Sequence, residues 1–394
     1  MRVDFVTKEY PPNIYGGAGV HVSELVRNLR ETTEVHVHAF GEPIQEPNTL
    51  GYQTLTELQT ANQAIQTLGT DLSIVPNING SDLVHSHTWY ANFAGHMASL
   101  LHGIPHVITA HSLEPLRPWK KEQLGGGYAV SSFIEKAAYL QASRIIAVSN
   151  GMRQDILRSY PEIDPAKVEV VYNGIDSETW RPVTDDAVLA KHGVDKDRRS
   201  IIFVGRMTRQ KGLTYFLQAA KALPEDVQII LCAGAPDTEE LKLEIETLVA
   251  ELSRIRTGVI WIPEHLDQRS LAVLLTNADL FACPSIYEPL GIVNLEAMAC
   301  GTAVIGTQTG GIPEVVLAGE TGWLVPIDQV NDGSGTPINP DVFIADWSKA
   351  MQDAFTSGDL EEYGDAGRKR AVTSFSWQSI ATRTLEVYQK ALDG

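Results

Sequence analysis

Residues 285–301 read Ser285-Ile286-Tyr287-Glu288-Pro289-Leu290-Gly291-Ile292-Val293-Asn294-Leu295-Glu296-Ala297-Met298-Ala299-Cys300-Gly301. Two glutamates stand eight positions apart in a run with no other charge. A carboxylate among apolar neighbours is costly unless something pairs with it. The two could be an acid and a base, metal ligands, two solvated ends of a helix, or two grips on a longer ligand. In a continuous helix, eight residues at ~1.5 Å rise would separate them by about 12 Å. Glycosidase carboxylates stand ~5 Å apart in retaining enzymes and up to about 9.5 Å apart in inverting ones. A hydrolytic pair is therefore disfavoured. Pro289 suits the first turn of a helix, which predicts Glu288 just before the helix and Glu296 about two turns into it. The amides of Leu290, Gly291 and Ile292 would then point out of the helix N-terminus, as at an anion site.

Working outward, the stretch follows a strand-like apolar run at 279–285 and precedes another at 302–306. Similar runs at 200–205, 227–234 and 258–263 complete a series of strands separated by helical patterns. An earlier series occupies 2–7, 34–40, 82–87, 106–111 and 144–149, with helices such as 19–29 and 130–142 between strands. Alternation of this kind specifies parallel sheets with helices on both faces. The expected fold class is α/β, with two Rossmann-like domains whose parallel sheets face one another across a deep cleft. Expected boundaries are 1–175 for the N-terminal domain, 176–199 for a linker rich in Asp, Pro and Thr, and 200–375 for the C-terminal domain. A last helix at 376–394 follows both series and is free to cross back to the N-terminal domain.

The 394 residues, 43% hydrophobic and 20% charged, have the balance of a soluble globular protein. The N-terminal run lacks the apolar core of a signal peptide, and no stretch is apolar enough to span a membrane. Cys232, Cys283 and Cys300 are scattered without CxxC spacing. The expectation is a cytoplasmic protein with structural thiols. A formal net charge of −18 argues against nucleic acid or a membrane surface as partner. Any anionic substrate must then be held by locally placed cations and backbone amides.

Ligands of open α/β sheets bind outside the carboxyl ends of the strands, so the segments there carry most weight. The turn at 10–21 contains Gly16 and Gly17 but has neither a Walker lysine nor the third glycine of a dinucleotide fingerprint. Taken alone it is a tight turn as readily as a phosphate loop. After the first strand of the second series, Arg206 offers a planar fork and Lys211 a mobile point charge, a combination suited to a diphosphate. His111 ends a strand and opens a long loop, whereas His85, His87 and His106 read as structural; no metal ligand set of familiar spacing is present. A further glycine loop, Gln308 to Glu314, is weak by itself.

In order, these segments resemble the retaining GT-B glycosyltransferases. Glu288 to Glu296 resembles their E-x7-E motif, and Gly16-Gly17, Thr109-Ala110-His111, Gly205-Arg206 with Lys211-Gly212, and Thr309 to Glu314 match in sequence along nearly the whole chain. The first loop, Ile14 to Ala18, lacks the lysine of long glycogen synthases, and the chain is short for that branch. It is most similar to the short bacterial group of glycogen synthases and α-maltose-1-phosphate synthases in family four.

The resemblance implies an acceptor-side N-terminal domain and a C-terminal domain that binds the nucleotide sugar. Arg206 and Lys211 would bind the donor diphosphate, with Gly16 and Gly17 closing over it. Glu288 would hold the transferred sugar, Leu290, Gly291 and Ile292 the phosphates, Glu296 the ribose, and His111 would sit beside the reacting sugar. It further implies ADP-glucose or UDP-glucose as donor, and glucose 1-phosphate or an α-glucan as acceptor, joined by a retained α-1,4 link. No metal or other cofactor is expected, and a homodimer is left open. For a phosphorylated acceptor, Arg117, Lys120, Lys121 and Tyr128 are the candidate contacts. Rival readings are a transferase for an inositol phosphate, lipid or sucrose-type acceptor, a non-catalytic sugar or nucleotide binder, and an epimerase.

Overall fold

The computed structural model describes every residue except Tyr15 and Ala235, and also leaves aside the side chain of Glu122. Tyr15, part of the first glycine loop, therefore lies outside the described residues. The chain forms two compact units, Met1–Gly174 with Trp377–Gly394, and Ile175–Ser376.

The first unit is built on strands β1 (Arg2–Thr7), β2 (Glu34–Phe40), β3 (Thr49–Tyr52), β4 (Leu83–His87), β5 (His106–Ala110), β6 (Arg144–Ala147) and β7 (Val168–Val170). They form one parallel sheet in the order β3-β2-β1-β4-β5-β6-β7. Val3, Phe5 and Val6 of β1 are fully buried, as expected of a central strand covered on both faces. The chain winds outward from β1 in one direction and from β4 in the other, so the switch point lies between those two strands. Lys8, Thr88 and His111 directly follow or lie just beyond β1, β4 and β5.

The last helix, Trp377–Leu392, joins this unit. Trp377, Ile380, Val387 and Tyr388 pack into one buried cluster with Val3, Phe5, Val22 and Val107. A Cβ on Gly174 would lie 2.5 Å from the Trp377 ring, so glycine is required where the two segments of the unit meet.

The second unit contains β8 (Ser200–Arg206), β9 (Gln228–Gly234), β10 (Val259–Ile262), β11 (Leu280–Cys283), β12 (Ala303–Thr307) and β13 (Gly322–Val325), parallel and ordered β10-β9-β8-β11-β12-β13. Its switch point lies between β8 and β11. Residues 176–199 belong to this unit and include the helix Asp186–Lys191, whose N-cap Asp185 accepts a bond from the Ala187 amide. The periodicity missed β3, β7 and β13, each at most four residues long. It also carried β6 too far: Ser149 caps the helix Asn150–Ser159 by accepting from the Met152 amide, which ends the strand at Ala147. No described helix is long and apolar enough to cross a membrane.

Trp377→Ala should lower the stability of the first unit by about 3–5 kcal/mol, the usual cost of emptying a packed aromatic site. Urea unfolding followed by circular dichroism checks this; a loss below about 1 kcal/mol would show that the helix is dispensable to that core.

Candidate functional site

In the second unit, the loops that follow β8, β11 and β12 are stitched together through backbone. The Ile286 amide donates to Gln210 O at 2.8 Å, and the Gly311 amide donates to Glu288 O at 2.9 Å. Gly212 has φ 63 and would place a Cβ 1.9 Å from Pro284 O. Gly310 has φ 54 and would place one 2.0 Å from Glu288 O. Only glycine permits both the left-handed backbone and the close approach.

These contacts correct the expected helix start. The helix runs Ile292–Ala299, with Gly291 as its N-cap at φ 90 and ψ 71. Pro289 and Leu290 therefore precede it, because left-handed Gly291 interrupts the helical path and the Glu288 carbonyl is committed to Gly311. Of the three expected anion-binding amides, only that of Ile292 lies in the helix. Glu296 sits one turn in.

Lys211, in the 3₁₀ turn Arg209–Lys211, places Nζ 2.6 Å from Glu288 Oε2. Ser285 Oγ donates to the same oxygen at 3.0 Å. Burial works against the Lys211 ammonium, but the Glu288 carboxylate overcomes it and holds the amine above its ordinary value. Glu296 is also buried; desolvation pushes its carboxyl up to about 7 against the opposing pull of Lys211. Arg206, at the end of β8, pairs with Asp237 at 2.7 Å and keeps 40% of its side chain exposed. Lys211, Ser285, Glu288, Gly291 and Asn294 line one small cavity. Asn294 is fully buried there, with neither its side-chain oxygen nor its nitrogen bonded to protein.

The strand ends of the first unit carry a different chemistry. Gly16 is the N-cap of the helix Gly17–Leu29, and its amide already donates to Glu9 Oε2 at 2.8 Å. His111 Nε2 lies 3.1 Å from His87 Nδ1. His21 Nδ1 meets Asn173 Oδ1 at 2.8 Å, and His85 spans Tyr388 at 2.7 Å and Thr109 at 2.8 Å. Burial, reinforced for three of them by neighbouring imidazoles, pushes His85, His87 and His111 well below the ordinary histidine range and His21 down to about 4. All four are neutral near pH 7. His21, His87 and His111 bring ring nitrogens within 4.8 Å of one another, and a metal ion there would compete with the His87–His111 contact.

The remaining candidates have structural contacts of their own. Arg117 Nη1 donates to Ser112 Oγ at 3.1 Å, Lys120 Nζ to Gln123 Oε1 at 2.5 Å, and Tyr128 Oη to Glu114 O at 2.6 Å; Lys121 is exposed. Sequence reasoning missed Asp237, Ser285, Asn294 and Thr88. Thr88 closes β4 with φ 65 and ψ 163, a conformation costly for a β-branched residue. Its position directly after a strand that ends beside the switch point was the available signal.

Because Lys211 and Glu288 are both largely shielded, removing one strands the other. Lys211→Met and Glu288→Gln should each destabilise the second unit by about 3 kcal/mol, and the double variant should lose less than the sum of the two. Chemical denaturation of the four-member cycle tests this; strict additivity would show that the pair is energetically uncoupled.

The sequence matches the family description "Glycosyltransferase Family 4" over residues 15–179 and "Glycosyl transferases group 1" over residues 185–334. It is 51% identical over 394 residues to "Alpha-maltose-1-phosphate synthase" of Mycolicibacterium smegmatis, covering 99% of each chain. The protein of the same name from Mycobacterium tuberculosis shows the same identity and coverage, 51% and 99% of each chain. Sucrose-phosphate synthase from Thermosynechococcus elongatus superposes with a TM-score of 0.80 at 22% identity, covering 100% of this chain and 99% of that one. With both family signatures in order, full-length relatives at half identity and two switch-point sheets of the matching fold, the chain belongs to the GT-B glycosyltransferases of group 1 and family 4.

Proposed function

We propose that this glycosyltransferase is a cytoplasmic retaining glucosyltransferase that moves glucose from ADP-glucose to glucose 1-phosphate, forming an α-1,4 link and releasing ADP and α-maltose 1-phosphate. The observation that carries the reading is the 51% identity to α-maltose-1-phosphate synthases along 99% of the chain. The site geometry supports it. Arg206 and Lys211, at the switch point of the second sheet, supply cations for the donor diphosphate where charge grows on the leaving group. Glu288, fixed through its carbonyl and through Lys211 and Ser285, accepts hydroxyls of the transferred sugar. Glu296 accepts from the ribose hydroxyls. In this reading His111, kept neutral by burial, has the role of stabilising the positive charge that develops at the anomeric carbon of the transferred sugar.

In this reading the acceptor hydroxyl attacks from the face the phosphate leaves, and the departing phosphate oxygen takes the acceptor proton. No side chain acts as nucleophile, and no metal ion is assigned. The protein contributes positioning and electrostatic stabilisation. An α-glucan is the second acceptor to be tested.

The direct assay offers ADP-glucose or UDP-glucose with glucose 1-phosphate or glycogen and follows nucleotide release and the product's anomeric configuration. Release of ADP with formation of α-configured maltose 1-phosphate is expected; no transfer to either acceptor would overturn the reading. Glu288→Ala and Lys211→Ala should each lower turnover on the order of 10²–10³-fold, and near-wild-type rates in either would overturn that residue's role.

A pH dependence follows from Glu296. Its folded pKa of about 7 lies above the ordinary 4.5, so the free protein takes up a proton there as pH falls through neutrality. Ribose hydroxyls donate to the ionised form. Donor affinity should therefore weaken below about pH 7, approaching tenfold per pH unit, and Glu296→Gln should flatten the profile. Calorimetric titration of the nucleotide sugar from pH 5 to 8 measures it, and identical slopes in both proteins would remove Glu296 from the ribose site.

A further inference from the structure

Lys8 is the first residue beyond β1, at the switch point of the first sheet. The β1–β4 register sets Val6 opposite Ser86, and Lys8 and Thr88 each lie two residues beyond that pair. Lys8 Nζ stands 3.7 Å from the centroid of the Tyr90 ring, so its side chain reaches the first turn of the helix Trp89–His102 that follows β4. It is only partly exposed. Burial draws its amine down to about 8, with the neighbouring Glu9 charge opposing the shift. Glu9 is turned toward the glycine loop, where Oε2 takes the Gly16 amide at 2.8 Å.

Its isolation sets Lys8 apart. Among the described residues of the first unit, every other lysine and arginine has a carboxylate, carbonyl, amide or hydroxyl oxygen in contact, except the exposed Lys121. A shielded ammonium in direct contact with an aromatic face, with the Glu9 carboxylate acting from further off, has a partly satisfied charge. The histidines grouped at this end of the sheet, 21, 87 and 111, are neutral and carry no charge with which to hold an anion, and the Glu9 carboxylate is turned to the Gly16 amide. In a chain of net charge −18 a phosphorylated acceptor needs a local cation. Arg206 and Lys211 belong to the donor's unit.

We propose that Lys8 binds the phosphate of the sugar-phosphate acceptor and so selects glucose 1-phosphate over an uncharged glucan end. This rests on the acceptor assigned under Proposed function. The phosphate completes the coordination that Tyr90 begins, and Lys8 is a binding and specificity residue rather than part of the bond-making machinery. Arg117, Lys120 and Tyr128, by contrast, already hold the loop that bears them.

The test is calorimetric titration of glucose 1-phosphate into the full chain at saturating ADP, with the wild type, Lys8→Met and Lys8→Arg. Lys8→Met retains the apolar stem over Tyr90 and removes a shielded charge, so it should fold; thermal unfolding checks this, and Lys8→Arg provides the charge-preserving comparison. The expected result is an affinity loss of about 10- to 100-fold in Lys8→Met, the range for a hydrogen bond to a charged group. Lys8→Arg should recover most of it, and the KM for the nucleotide sugar should not move. Unchanged affinity for glucose 1-phosphate in Lys8→Met would overturn the proposal. So would an equal rise in the KM for the nucleotide sugar, which would assign Lys8 to the donor. Lys8-dependent binding without transfer from the wild type would sustain the phosphate site and overturn the acceptor reading alone.

Discussion

The ion pair between Lys211 and Glu288 is the constraint on which the second unit's site depends. It joins the loop after β8 to the loop after β11 at 2.6 Å, across the point where the sheet changes direction. A shielded pair of this kind gives little net stability. Its value lies in position: two opposite charges, each costly alone, can remain inside the fold only if each fixes the other. Two further backbone contacts secure it. Gly212 lets the lysine-bearing turn close on Pro284, and Gly310 lets the loop after β12 close on Glu288. The cation and the carboxylate are thus preorganised before any ligand arrives.

The two units distribute charge differently for a related reason. Around the strand ends of the second, charged side chains are held in ion pairs: Lys211 with Glu288, Arg206 with Asp237. Around those of the first, four histidines are packed against one another and lose their charge to burial. Thr88, held in a backbone conformation that its branched side chain disfavours, occupies the same edge. Strain of this kind persists only where the surrounding packing over-determines it.

Much of this was legible in the sequence because parallel sheets write their topology into buried apolar runs and their ligand sites into the residues that follow. β1, β2 and β8 were readable from continuous apolar patterns, and Arg206, Lys211, Glu288 and His111 from their places after strands. Local signals failed where tertiary contacts decide. Pro289 suggested a helix start, but Gly291 in a left-handed conformation moved it to Ile292. β3, β7 and β13 are too short to carry a period. Asp237 and Ser285 became recognisable only when the fold brought them to Arg206 and Glu288, 31 and 3 residues away in sequence.

The eight-residue spacing of the glutamates acquires its meaning from the break between them. Had the helix begun at Pro289, Glu288 would have stood at its very start, its separation from Glu296 set largely by helical rise. Instead Glu288 is held by backbone and side-chain contacts to other loops, while Glu296 rides one turn into a helix that starts at Ile292. Their environments diverge accordingly. Glu288 has a cation and a hydroxyl in contact, whereas Glu296 is buried with only the more distant influence of Lys211 and drifts toward the neutral form. The same residue type at two positions therefore presents two acceptors of different strength. That difference follows from the left-handed glycine and the loops that close on it, not from the acids themselves.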